Sequence, residues 1–210
     1  MEVFSNNRIA TPDSVTFDVS RYEYQGVREG IKVWHTPEGD GLGLYFFTRR
    51  PDIPSGLTST SQLHEHYSAK IDSNSRVIDC KVQRFDDTPC VWTIVGNNDA
   101  TTKSSVYVGS LTIPFQNFSY VIKMQSPERG ITGIREAMLI ANSLKTGTGA
   151  VHNGQFVPEG WSFDDEQFDR LLPQHPLSRL RRELRLIAQS VKIDVKVKRE
   201  EPFDLPQDFV

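Results

Sequence analysis

The sequence predicts an α+β domain, an antiparallel sheet of six to seven strands flanked by helices. Three observations predict it. Between Arg76 and Gln125 side-chain polarity alternates every second residue in runs broken by short turns, the period of half-buried strands. Segments with helical period and capping signals stand before and after that region, not between its strands. Strands joined by short turns pair antiparallel, and helices must then cover the apolar faces of the sheet, which excludes a doubly wound parallel architecture.

The elements follow in chain order. In "GIKVWHT", Ile31, Val33 and His35 alternate with Lys32 and Trp34, and "HTPEGDG" turns the chain. "LGLYFFT" is apolar on both faces, Leu42, Leu44 and Phe46 against Tyr45 and Phe47, which suits a central strand. "STSQLHEHYSAKID" reads as a helix: Ser59 and Gln62 form a capping box, and Leu63, Tyr67 and Ile71 mark a buried stripe. "RVIDCKVQRF" is expected to bury Ile78, Cys80 and Val82, "DDTP" to turn, and "CVWTIVG" to be apolar on both faces. In "SSVYVGSLTI", Val106 and Val108 share one parity and Leu111 and Ile113 the other, so a bulge near Gly109-Ser110 is expected. "FSYVIKM" places Phe118, Tyr120, Ile122 and Met124 on one face.

A helix is expected from about Ile131 to Leu144, with Ile134, Met138, Ala141 and Leu144 inward. Residues 145–160 hold four glycines and one proline and read as a loop. Leu177, Leu180, Leu184, Ile187 and Val191 step by 3, 4, 3 and 4, the strongest helical period in the chain, and Pro176 suits its first turn. "KIDVKVK" reads as a short strand and "EEPFDLPQDFV" as an acidic tail. The expected organisation is an N-terminal extension (1–27), a single domain (28–194) and a C-terminal tail (195–210).

Composition narrows the function classes. The chain has 210 residues, 37% hydrophobic and 24% charged, which suits one domain with its own core. A net charge of −3 argues against a molecule that coats nucleic acid. Two cysteines exclude a disulfide framework, and no cysteine-only zinc site can be built from them. Glu2 and the absence of an apolar run near the N-terminus speak against a secretory signal, and no stretch approaches the roughly 20 apolar residues of a membrane span. A cytoplasmic location is the expectation, with no membrane and no cofactor.

The order of hairpin, capped helix, meander and closing helix resembles the PsbP-like α/β/α sandwich. The likeness rests on "STSQLHEHYSAKI", on the meander "VIDCKVQRFDDTPCVWTIVG", "SVYVGSLTI" and "FSYVIKM", and on "LRLIAQSVKI", and covers roughly residues 28–194. This superfamily includes a photosystem extrinsic protein, a Ran-binding import factor and bacterial chaperones of type VI secretion effectors. Its members mostly bind other proteins. The resemblance therefore implies a binding or adaptor role and transfers no functional residue. The helix over 131–144 and the Gly-rich 145–160 stand out as an insertion relative to it.

Several local features could carry chemistry. "QSPERGITG" has two glycines before a helix but matches neither phosphate-loop pattern. Arg129 and Arg135 make it a candidate anion site, and pairing with Glu128 and Glu136 would make it a structural corner instead. His64 and His66 point about 200° apart on a helix and cannot chelate one ion from it. Cys80 reads as a buried hydrophobe and Cys90 as the more accessible thiol. No nucleophile or zincin pattern is present.

From 176 to 199 there are eight basic residues and two acidic ones. Arg179, Arg181, Arg182 and Arg185 are candidates for a partner surface, unless the acidic flanks "DDEQFD" and "EEPFDLPQD" neutralise them. The reading that best fits is a non-enzymatic protein-binding or adaptor module whose partner is another protein, with the oligomeric state open. One alternative is a small enzyme or anion-binding protein with a site near the 125–135 turn and the 145–160 loop, using Arg129, Arg135 and His152. The other is an interaction or immunity-like protein acting through the basic helix.

Overall fold

The computed structural model describes residues 10–98, 101, 104–130, 133–152, 155–158 and 162–205, with side chains for all of these except 150–152 and 155–158. In chain order the elements are a 3-10 turn (Pro12–Ser14), β1 (Val15–Thr16), β2 (Glu23–Arg28), β3 (Ile31–His35), β4 (Gly41–Phe47) and α1 (Thr60–Ser68). The long meander is β5 (Ser75–Phe85), β6 (Thr88–Asn98), β7 (Ser105–Pro114) and β8 (Ser119–Pro127). Then come α2 (Ile134–Thr146), β9 (Gly149–His152), β10 (Gln155–Pro158), α3 (Gln167–Leu171), α4 (Pro176–Ser190), β11 (Lys192–Ile193) and α5 (Val195–Lys198). The main sheet has seven antiparallel strands in the order β2-β3-β4-β8-β7-β6-β5, with helices on its two faces. The expected α+β class, an antiparallel sheet flanked by helices, is what the chain adopts.

Turn chemistry sets the meander. Asp86 and Asp87 both adopt positive φ between the paired residues Phe85 and Thr88, a two-residue hairpin whose twist matches the strands it joins. α1 starts where expected: Ser59 Oγ accepts from the Gln62 N–H at 3.3 Å. The Gln62 side chain reaches Thr58, one residue further back than a capping box requires.

The main core lies between the sheet and α4. Leu177, Leu180, Leu184 and Ile187 are almost completely buried against Trp92, Leu111, Ile122 and Met124. Full burial of each such side chain contributes about 1.5–3 kcal/mol. The closest approach is at Gly109, where an added Cβ would stand 2.8 Å from a Leu184 methyl. On the other face α1 and the C-terminal segment cover only the β5–β6 side, where Leu63, Cys80, Val82, Val91, Phe203 and Leu205 form a second core. Over β3, β4, β8 and β7 that face leaves Val33, Tyr45, Val121 and Val108 half-buried.

Several expectations need correction. β7 has no bulge near Gly109-Ser110: its register runs unbroken against both neighbours. Tyr107, Gly109, Leu111 and Ile113 face α4, and Val106 and Val108 take the half-open face, because α4 needs a residue without a side chain where it crosses the strand. The bulge lies in β5, between Val77 and Asp79. It turns Ile78 to the main core while Cys80 and Val82 join the second, so the three do not share a face.

α2 buries Arg135, Leu139 and Ser143 and leaves Ile134 and Leu144 exposed, a stripe rotated by one residue from the apolar pattern. The reason is an ion-pair network, described below, that draws Arg135 inward. Residues 10–27 are part of the domain: Ala10, Val15 and Phe17 are core residues, and β2 forms an edge of the sheet. "KIDVKVK" gives only the two-residue β11, paired with β1; Asp194 then caps α5 by accepting from the Lys196 N–H. Residues 195–205 are likewise anchored, with Val197, Phe203 and Leu205 buried. Within 145–160 the described backbone forms the β9–β10 hairpin.

Candidate functional site

A cleft of about 360 Å³ opens between the turn after β8 and the α3–α4 corner. Its apolar wall comes from Ile134, at the first turn of α2, and from Leu171, Leu172, Pro173 and Pro176 at the corner. Ile134 is 39% exposed and Leu171 61%. Glu128, Arg129, Gln174, His175 and Arg179 supply the polar lining.

The corner is stiff. The His175 N–H donates to the Leu172 carbonyl at 3.0 Å, two prolines flank the turn, and His175 caps α4. Its Nδ1 accepts from the Leu177 N–H at 3.2 Å, so the neutral ring carries its proton on Nε2. That Nε2 has no hydrogen-bond partner among the described residues, lies 3.9 Å from Glu128 Oε1, and belongs to a side chain 2% exposed. The ring meets Tyr107 edge-on at 5.5 Å. Burial, with help from the charges of Arg135 and Arg179, pushes the His175 pKa down to about 4. The ring is neutral at pH 7.

Among the described residues Glu128 pairs with no arginine. Its two oxygens accept from the N–H groups of Ser105 at 3.0 Å and Gly133 at 3.2 Å, tying the β7 start to the α2 start. Arg129 donates instead to the carbonyls of Glu38 and Gly39 in the β3–β4 turn. Gly39 permits this: an added Cβ there would stand 3.0 Å from the guanidinium.

Arg135 is not a second anion ligand beside Arg129. It is 1% exposed, and its guanidinium donates to the Phe163 and Asp165 carbonyls, Ser178 Oγ and Asp169. Asp169 Oδ1 also accepts from Ser178 and Arg181. Arg135 is turned onto α3 and does not line the cleft. The side chain of His152 lies outside the described residues.

The four basic residues of α4 divide. Arg179 is 9% exposed and Arg181 3% exposed, both committed to internal pairs, with Asp40 and Asp169. Arg182 and Arg185 stay partly exposed, at 39% and 44% of the side chain, and pair with Glu183 and Glu166. The "DDEQFD" flank thus neutralises Arg181 and Arg185. The four do not form one surface, because the apolar face of α4 is so broad that two arginines fall within its buried margin.

The remaining candidates have local roles. His66 Nε2 lies 3.2 Å from the Asp52 carbonyl and His64 Nδ1 3.4 Å from Ser68 Oγ. Among the described residues no three His, Cys, Asp or Glu side chains converge as metal ligands would. Cys90 is not the more accessible thiol: it is fully buried and donates to the Thr88 carbonyl. A larger cavity of about 430 Å³ beside the β5–β6 turn is lined by charges of both signs over Phe115 and Phe203, which are core residues. No described helix is long and apolar enough to cross a membrane.

Sequence reasoning pointed to the 128–135 turn but missed His175 and Leu171. The one signal for them was the "LLPQHP" run, two leucines and two prolines around a histidine at a helix start.

No protein-family model and no curated protein matches this chain. Among solved structures it is similar to a Bacteroides thetaiotaomicron VPI-5482 protein, solved at 1.50 Å, at 11% identity and a TM-score of 0.37. The match covers 59% of this chain and 42% of that one, so this chain spans less than half the length of its neighbour. At that TM-score the likeness carries no argument.

Proposed function

We propose that the protein is a non-enzymatic binding module, adaptor or chaperone-like, and that it recognises a segment of another protein at the cleft between the β8–α2 turn and the α3–α4 corner. The observation that carries this is the exposure of Ile134 and Leu171 at the rim of a concave site. Large apolar side chains held in water at a concavity mark a contact surface. Both edge strands of the sheet, β2 and β5, contain a bulge, a device that blunts strand addition, which favours the cleft over the edges.

The polar groups support holding rather than reacting. A general base needs a free lone pair within reach of substrate. The His175 lone pair already serves the Leu177 N–H, and the Glu128 carboxylate, 5% exposed, is turned inward onto two backbone N–H groups. The resemblance to PsbP-like domains supports the same role. Two free, buried thiols fit a reducing compartment, and a cytoplasmic location belongs to the same proposal.

The test is a photo-crosslinking amino acid at Leu171, with the exposed Val195 of α5 as control, irradiated in native extract. A discrete adduct specific to position 171, lost when Ile134 is changed to Asp, is the expected result. Identical adducts at both positions, or none at position 171, overturn the proposal.

A further inference from the structure

The geometry points to a particular chemistry for the partner segment: a short acidic stretch carrying one large apolar residue. The apolar side chain sits between Ile134 and Leu171, and a carboxylate lies beside Arg129. This rests on the cleft being the recognition site.

Size sets the first limit. A cavity of about 360 Å³ lies at the low end of ligand sites, which run from about 300 to 1,000 Å³. It admits a side chain or two from a segment lying across the rim, not a folded element. The apolar lining is made of Ile134, Leu171, Leu172, Pro173 and Pro176, so the inserted side chain is apolar.

The electrostatics set the second. Arg129 is held by two neutral carbonyls, which orient its guanidinium without cancelling its charge. No carboxylate among the described residues lies within ion-pair distance of it. The acidic groups nearby are withdrawn from the surface: Asp40 is locked to Arg179, and Glu128 keeps its charge but is 5% exposed and turned to the Ser105 and Gly133 N–H groups.

A second observation agrees in sign. His175 Nε2–H, at the N-terminus of the 15-residue α4, is a buried donor without an acceptor. Arg129, paired with no carboxylate among the described residues, calls for an acceptor. An acidic segment meets this demand, and a basic one meets Arg129 at close range with no compensating carboxylate. The apolar anchor supplies affinity and the carboxylate supplies selectivity.

The experiment is selection of short random peptides displayed on phage against the full chain and two variants, Leu171→Asp and Arg129→Glu. Both residues are exposed, so the variants fold, which circular dichroism checks. Wild type is expected to enrich peptides with Leu, Ile, Met, Phe or Trp within two positions of Asp or Glu. A synthetic peptide of that consensus binds wild type more weakly as salt rises, loses about tenfold in affinity to Arg129→Glu, and does not bind Leu171→Asp. Arg129→Glu shifts enrichment toward Lys and Arg. Apolar peptides without acidic preference, or an acidic preference unchanged in Arg129→Glu, overturn this inference and leave the cleft standing as the recognition site. Peptides that bind regardless of Leu171→Asp, or no enrichment by wild type, overturn both.

Discussion

Arg179 and Asp40 stand 139 residues apart in sequence and meet as a two-bond pair. Arg179 Nε donates to Asp40 Oδ2 at 2.9 Å and Nη2 to Oδ1 at 2.8 Å, with side chains 11% and 1% exposed. The pair clamps the first turn of α4 to the β3–β4 turn, the same turn whose carbonyls hold Arg129. It therefore fixes the relative position of the two sides of the cleft. Removing one member leaves a buried charge unpaired, at a cost of about 3–5 kcal/mol. Asp40→Ala and Arg179→Ala are each expected to lower stability by that order in urea denaturation. The double variant is expected to lose less than the sum, and additive losses would show that the two act independently.

Gly109 decides how closely α4 can lie on the sheet. A Cβ there would stand 2.8 Å from Leu184 and 3.3 Å from Leu180. Gly109→Ala is expected to destabilise by about 1–3 kcal/mol through overpacking. Combining it with Leu184→Ala should recover part of that loss, because the methyl it strikes is gone. A Gly109→Ala protein as stable as wild type would mean that α4 has room to shift.

His175 makes stability depend on pH. Its folded-state pKa is pushed down to about 4 from the ordinary 6.5, by burial first and then by Arg135 and Arg179. As pH falls from about 6.5 toward 4, the unfolded chain takes up a proton that the folded ring refuses, so stability falls across that window. The loss is of order 1–3 kcal/mol. His175→Asn keeps an N-cap acceptor without the titration. Denaturation at pH 7.5 and pH 4.5 should show a smaller drop for His175→Asn than for wild type. Equal drops would mean that the imidazole is solvated.

Both thiols should be silent in the native protein. Burial pushes the pKa of Cys80 and of Cys90 up to about 12, so almost no thiolate forms at neutral pH. A chromogenic disulfide reagent is expected to titrate neither thiol under native conditions and two per chain in denaturant. Rapid native reaction of one thiol would reveal local opening of β5 or β6.

Much of the fold was legible because its signals are local. The alternation in β8, the 3-4 stepping of leucines in α4 and the polar hairpin at Asp86-Asp87 each depend on residues near one another in the chain. β2 was illegible for a physical reason: as an edge strand with most side chains exposed, it has no buried face to impose alternation. Its turn, Glu29-Gly30 at positive φ, was the available clue. The site was legible by half. Glu128 and Arg129 stood out as a polar turn before a helix. Leu171 and His175 looked like ordinary members of a helix boundary.

By itself, then, the sequence determined the class of fold, the long meander and the buried stripe of α4, because hydrophobic period and turn chemistry act over a few residues. The tertiary structure alone decided which way Arg135 faces. Two carboxylates of the 164–169 segment, Asp164 and Asp169, gather Arg76, Arg135 and Arg181 from three different elements, and the Asp165 carbonyl adds a bond to Arg135. That network outweighs the apolar stripe of α2, rotates the helix and leaves Ile134 in water at the cleft. Desolvated charges must be paired wherever their partners lie in space, and no local pattern records where that will be.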